Sequence, residues 1–221
     1  VFNSTGKYGG VFDFDGVIVR HSEFFKESAW DEMFTPYGVR YKPILAEARS
    51  IFGFGKKGDR FDIFRYVYEK LGEPEETIPI LVNKNAQIFN KIVQEKISKA
   101  GVARGGVKVF KKLSSRFPLY INSSTTTPAL GESVEVLDLN NFFKKALGGP
   151  ASKLENFKKI AEIEGVGPSN ILMIGDSDGD FISARDFGCH FIGVCNEWNQ
   201  WKKQSKPFTL IDDLVRIESQ F

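Results

Sequence analysis

Only two cysteines occur in 221 residues, Cys189 and Cys195. They lie too close together in sequence to staple a fold. Each sits in an apolar stretch, as ordinary buried thiols do. A disulfide scaffold is therefore excluded, and a reducing, cytoplasmic setting is expected. Long hydrophobic runs are also lacking. None approaches the ~18 apolar residues of a membrane helix, and the first residues lack the charged-then-apolar order of a secretion signal. Charge of one sign is scarce as well, because 30 Lys and Arg face 28 Asp and Glu for a net +2. With no basic stripe interleaved with aromatics, nucleic acid is not an expected partner. Internal repeats and low-complexity segments are absent.

What the chain does hold is an ordinary globular composition, 42% hydrophobic and 26% charged. Its length suits one large domain, or a core domain with an insertion. Four short apolar runs closed by small or polar residues read as buried parallel strands: Gly10–Phe14, Pro118–Asn122, Asn170–Gly175 and His190–Cys195. Helical stretches alternate with them over Val107–Ser115, Leu154–Glu164, Phe181–Phe187 and Asp212–Glu218. Alternating strands and helices predict an α/β fold, a Rossmann-like parallel sheet with helices on both faces. Residues 19–100 read differently, with helical periodicity and no convincing strand. Ser22–Phe34 is one helix, and Pro43 suits the first turn of a second. Asp59 caps a third that runs to Leu71, where Gly72 and Pro74 stop it. Pro79 opens a long fourth in which Leu81, Ile88, Ile92 and Val93 share a face. The expected organisation is a discontinuous core of residues 1–18 and 101–221, with residues 19–100 inserted as a helical domain.

Two stretches place carboxylates where apolar strands end. In VFDFDGVIV, residues 11–19, Asp13 and Asp15 lie two apart, which sets them side by side at a strand end. Two such carboxylates repel, so one holds a proton or a cation stands between them. In ILMIGDSDGD, residues 171–180, a second apolar strand leads into Asp176, Asp178 and Asp180. An EF-hand loop does not fit that cluster, because its sixth position is Phe181 and its twelfth Phe187. Ligands in open α/β sheets bind beyond the carboxyl ends of the strands. If both clusters share that edge they form one acidic, oxygen-only pocket of the kind that suits Mg²⁺. The strand ending LYINSS adds the hydroxyls of Ser123 and Ser124 there, and GGPASK adds Lys153. Singly, each of these has a bland alternative: a turn former for the serines, a solvated first-turn residue for the lysine.

Taken in chain order, DFDGV (residues 13–17), INSS (121–124), SK (152–153) and GDSDGD (175–180) resemble the motifs of the haloacid dehalogenase superfamily. LNNFFKKALGGP is similar to the segment that precedes that family's lysine. The helical insertion stands where the cap domain of the phosphoglycolate phosphatase and β-phosphoglucomutase branch stands. By this resemblance Asp13 is the nucleophile, forming a phosphoaspartate, and Asp15 is the acid and then the base. Asp13, Asp15 (through its carbonyl), Asp176 and Asp180 (through water) hold Mg²⁺. Ser123, Ser124 and Lys153 bind the phosphoryl oxygens. Asp15 itself points to an oxygen ester, and a phosphatase acting on a small phosphorylated metabolite is the leading expectation, as a monomer or homodimer.

A sugar-phosphate mutase, similar to β-phosphoglucomutase, is the alternative. DGVI and SAW (28–30) favour it. Phe24 and Phe25 at the position of the mutase cap histidine, and Phe52 before Gly53, count against it. GFGKKG, residues 53–58, also matches G-x-G-x-x-G, but it follows a helical segment and lacks the strand–helix crossover of a dinucleotide site. The resemblance makes it the cap loop instead, with Lys56, Lys57 and Arg60 as candidate substrate contacts.

Overall fold

A computed structural model describes residues 9–53 and 58–219. In chain order its elements are β1 (Gly9–Phe12), α1 (Ser22–Phe34), α2 (Tyr41–Phe52), α3 (Arg60–Leu71), α4 (Ile78–Ala100), α5 (Gly106–Ser114) and β2 (Leu119–Thr126). They continue with α6 (Thr127–Val136), β3 (Lys145–Gly149), α7 (Lys153–Glu164), β4 (Ile171–Gly175), α8 (Asp178–Phe187), β5 (His190–Val194) and β6 (Thr209–Ile211). The strands form one sheet in the order β3-β2-β1-β4-β5-β6, with every pairing parallel. Two compact units result, one from Val1–Ser22 with Ile97–Phe221 and the other from Glu23–Lys96.

The first unit is the Rossmann-like core, and β1 is its central strand. Side chains alternate across a strand, so Val11 joins Tyr120, Phe157, Ile160, Ile171 and Met173 on one face of the sheet. Phe12 faces the other way and meets Phe110 and Phe143 edge-on at 5.2 and 5.9 Å. A parallel sheet covered on both faces needs apolar residues at successive positions, which is why β1 reads as a continuous run. Full burial of each such side chain contributes about 1.5–3 kcal/mol, so the strand end is a rigid base for the turn that leaves it.

The second unit is helical. Asp59 accepts from Phe61 N at 2.7 Å and Asp62 N at 3.3 Å at the start of α3, and Gly72, at φ 83°, closes it. Helix α2 begins at Tyr41, with Pro43 in its first turn. The inward face of α4 differs from the expected one. Ile78, Val82, Ala86, Phe89, Val93 and Ile97 are its buried positions, whereas Ile88 is exposed and Leu81 and Ile92 are half-buried. Phe89 decides the rotation, because its ring packs on Trp30 at 4.3 Å and Phe64 at 6.1 Å. Residues 212–218, expected as a helix, hold only the 3₁₀ turns of Leu214–Ser219.

Candidate active site

Strand β1 ends at Phe12, and the next residue, Asp13, is still pinned to β4 through its N–H to Ile174 O at 2.8 Å. The chain then turns at once. Ile18 N and Val19 N both donate to Phe14 O at 3.0 Å, and Gly16 N donates to Val19 O at 2.9 Å. Gly16 adopts φ 76°, a left-handed conformation in which a Cβ would stand 2.6 Å from Asp176 Cγ. The expectation that Asp13 and Asp15 share a strand face is corrected here: the strand has already ended, and the turn brings Asp15 round. Its Oδ2 accepts from Thr125 Oγ1, on β2, at 2.8 Å.

At the end of β4, Ser177 caps α8 in a reciprocal capping box. Asp180 Oδ2 accepts from Ser177 N at 3.0 Å, Ser177 Oγ at 2.7 Å and Asp176 N at 3.2 Å. Its Oδ1 accepts from Lys153 Nζ. Both oxygens of this fully buried carboxylate are therefore committed. Asp13, Asp176 and Asp180 each offer an oxygen within 4.8 Å of the other two. Asp13 Oδ1 takes Phe14 N at 2.8 Å and Lys153 Nζ at 2.9 Å. Asp176 Oδ2 takes Asn196 Nδ2 at 2.6 Å. The second oxygens of Asp13 and Asp176 accept no hydrogen bond among the described residues.

Lys153 is the first residue of α7, after the N-cap Ser152. A cation at a helix N-terminus opposes the helix dipole, and its side chain is only 10% exposed. What holds it there is two carboxylates, Asp13 and Asp180, at ion-pair distance. Asn122, buried on β2, ties the same helix down by donating to Lys153 O at 3.0 Å and accepting from Asn156 Nδ2 at 3.0 Å. Ser123 is buried, its Oγ accepting from Thr125 N at 3.1 Å, while Ser124 is exposed.

The charges do not balance. Burial, and then Asp180, push the Asp13 carboxyl well above the usual carboxylate range, with Lys153 working against them. Burial and Asp180 likewise push Asp176 up to about 7, opposed by the Asn196 hydrogen bond and by Lys153. Burial works against the charge on Lys153, yet Asp13 and Asp180 outweigh it and raise its pKa. Three buried carboxylates around one ammonium, with two oxygens unengaged, make an oxygen donor set that a hard divalent cation fits.

The structure thus gathers Asp13, Asp15, Ser123, Lys153, Asp176 and Asp180 at the carboxyl edge of the sheet. Asp178 lies outside the cluster, exposed and paired with Lys206 at 2.8 Å. Arg60 belongs to the helical unit and donates to Asn90 Oδ1 at 3.0 Å. Lys56 and Lys57 lie outside the described residues. Three residues at the edge escaped the sequence reading: Thr125, which touches Asp15, and Asn196 and Asn199, which touch Asp176. Thr125 lies near the end of β2 and the asparagines just beyond β5, where such residues are common turn formers and carry no signal of their own.

Asp13 and Asp176 directly follow β1 and β4, the neighbours between which the order of the strands reverses, and ligands of open α/β sheets lie at that point. Fold and site together define an α/β protein of the Rossmann-like class with an acidic functional edge. Residues 11–194 match the haloacid dehalogenase-like hydrolase model, and the chain belongs to that family. A phosphoglycolate phosphatase from Shigella boydii is 25% identical, the match covering 58% of this chain and 56% of that protein. The chain thus spans little more than half the length of that curated relative. For the phosphoglycolate phosphatase of Shigella dysenteriae the figures are 24% identity, 86% of this chain and 82% of the relative. The crystal structure of a predicted phosphoglycolate phosphatase from Haemophilus somnus superposes with a TM-score of 0.73 at 17% identity, covering 99% of both chains.

Proposed function

We propose that the chain is a Mg²⁺-dependent phosphatase that hydrolyses a small phosphomonoester through a phosphoaspartate on Asp13. One observation carries the reading. Asp13 Oδ1 is anchored by Lys153 and the Phe14 N–H, and its Oδ2 accepts no hydrogen bond among the described residues. Such a carboxylate is oriented at one oxygen and open to phosphorus at the other.

In the first half-reaction Asp13 Oδ2 bonds to phosphorus, the ester P–O bond breaks, and Asp15 gives the leaving oxygen its proton. In the second, Asp15 takes a proton from water, whose oxygen bonds to phosphorus as the Asp13–phosphorus bond breaks. Inorganic phosphate leaves, and both carboxyl groups return to their starting state. The Thr125 hydroxyl orients Asp15 for both steps. Lys153 Nζ and the hydroxyls of Ser123 and Ser124 bind the phosphoryl oxygens, where charge builds in the transition state. Asp13, Asp176 and the Asp15 carbonyl would hold Mg²⁺. When bound it offsets the carboxylate charge and polarises a phosphoryl oxygen. Asp180, with both oxygens occupied, fixes Lys153 and would act on the metal through water.

On this reading residues 19–100 are the cap domain, with Arg60, Lys56 and Lys57 as candidate substrate contacts, and the setting is the cytoplasm. The curated relatives' name makes phosphoglycolate the first substrate to test. Purified protein should release phosphate from p-nitrophenyl phosphate and from one of a panel of phosphorylated metabolites only with Mg²⁺ present, and Asp13→Asn should abolish release with the fold intact. Metal-independent turnover, or substantial activity in that variant, would sink the proposal. Interconversion of hexose phosphates without phosphate release would assign the mutase reaction instead.

A further inference from the structure

The loop after β5, residues 195–201, carries two asparagines that have no part in the reaction above. Asn199 Oδ1 accepts from Asn196 N at 3.3 Å and Trp201 N at 3.2 Å. Its Nδ2 donates to Val194 O at 2.9 Å and to Asp176 O at 2.8 Å. All four hydrogen-bonding positions of this amide are used, and two of the bonds tie β5 to the backbone of Asp176. Asn196 Oδ1 accepts from Trp198 N at 3.0 Å and Asn199 N at 2.9 Å. Two backbone donors fix which end of that amide is oxygen. Its nitrogen consequently points the other way, to Asp176 Oδ2 at 2.6 Å.

Loop stitching accounts for the bonds to Asn196 Oδ1, which form an ordinary turn of the Asx kind. It does not account for the bond from Nδ2, which leaves the loop for a buried carboxylate. The same oxygen is walled in by Gly16, where a Cβ would collide with Asp176 Oδ2 and stand 2.6 Å from its Cγ and 3.1 Å from Asn196 Nδ2. Asp176 is thus held at its backbone by Asn199, wedged by Gly16, and tethered through Oδ2 by Asn196. Only Oδ1 is left to a ligand.

We propose that Asn196 is a positioning residue that restricts Asp176 to one-oxygen coordination and thereby sets the preference of the site for Mg²⁺ over Ca²⁺. The inference rests on the metal-dependent reading above. Mg²⁺ requires near-octahedral geometry and keeps its waters, whereas Ca²⁺ takes six to eight oxygens and readily accepts both oxygens of a carboxylate. Oδ2, held by the Asn196 amide and walled in by Gly16, resists the rotation that would turn both oxygens to one ion. Partners that orient a metal ligand typically account for about 10–100-fold in metal affinity. Releasing the tether should cost Mg²⁺ affinity on that scale and leave Ca²⁺ affinity nearly unchanged.

The test is calorimetric titration of EDTA-stripped protein with MgCl₂ and with CaCl₂, for the parent and for Asn196→Ser, with no turnover involved. Serine keeps an oxygen for the turn and lacks the amide donor. Its Mg²⁺/Ca²⁺ affinity ratio should fall by at least about tenfold, at an unchanged metal-free melting temperature. Asn196→Asp is the second variant, and it keeps the shape and both turn bonds. It replaces the donor with a further carboxylate oxygen, which favours Ca²⁺, so its ratio must fall as well. A ratio within about threefold of the parent's in a folded variant, including equal losses for both ions, overturns the role of Asn196. A parent that binds no Mg²⁺ overturns the metal-dependent reading, and this inference with it.

Discussion

Replacing Lys153 with methionine keeps an unbranched apolar stem and removes the one ammonium among the clustered carboxylates. Two effects are expected, and they have different pH signatures. The first is catalytic. A donor aimed at developing charge in a desolvated site contributes roughly 2.7–4 kcal/mol, so kcat/KM should fall by about 10²–10³-fold. The second is electrostatic. Lys153 is the group that holds the Asp13 carboxyl down against burial and Asp180. Without it Asp13 keeps its proton to higher pH, and a protonated carboxyl is not a nucleophile. The acidic limb of the kcat/KM profile should therefore move upward in the variant. Breaking a buried ion pair typically costs about 3–5 kcal/mol. Here the cost is reduced at low pH, where Asp13 can take a proton instead. The loss of melting temperature should accordingly be larger at pH 8 than at pH 5. The assay is p-nitrophenyl phosphate hydrolysis at saturating Mg²⁺ from pH 5 to 9, alongside thermal unfolding at both ends. A fall under about threefold with an unmoved acidic limb would show that Lys153 touches neither phosphate nor nucleophile in the working enzyme.

Asp15→Asn should accumulate phosphoenzyme with p-nitrophenyl phosphate, whose leaving group needs no proton, because an amide cannot deprotonate the attacking water. Rapid quenching and mass spectrometry should find the added phosphoryl group on the peptide bearing Asp13; alkyl-phosphate turnover at the parent's rate would remove Asp15 from the mechanism. Metal-free protein should lose stability as pH rises through about 7, since a carboxyl whose pKa is raised in the fold, as that of Asp176 is, favours folding below its unfolded value and loses that contribution above its folded one. Each kcal/mol is worth about 2–4 °C in a chain of this size, so melting scans at pH 5.5 and pH 8 should differ by several degrees. Mg²⁺ should narrow the gap at pH 8, and a flat profile would contradict the burial of Asp176.

Four of the six strands were legible because strands buried on both faces must be apolar at successive positions. The two that were missed, KALGG and TLI, are the edges β3 and β6: the first has only two apolar side chains before its glycines, and the second is three residues long. Helix α6, TPALGESVEV, was not among the expected helices; its buried face is Ala129, Leu130, Ser133 and Val134. At the site, Asp13 and Asp176 were visible because a charged residue directly after an apolar strand needs a reason; Lys153, unremarkable alone in a helix's first turn, was visible only through the motifs read together in chain order. Thr125 and Asn196 gave no such sign, since threonine and asparagine at strand ends are common turn formers. Their partners lie 110 and 20 residues away, and only the sheet order brings them within reach.

That order also has a consequence for how the chain comes into being. β1 lies at the centre of the sheet, yet it precedes in sequence both strands that flank it, β2 and β4. A ribosome releases residues from the amino end. During synthesis this fully buried strand therefore emerges long before either of its neighbours, with both hydrogen-bonding edges bare. The second edge stays uncovered until residues 171–175 have been made. An unpaired apolar strand is an invitation to wrong pairing, and for most of translation this chain carries one. The acidic turn just beyond it, with Asp13 and Asp15, is then the nearest charge. The carboxylates proposed for phosphoryl transfer thus also stand guard over the strand that positions them.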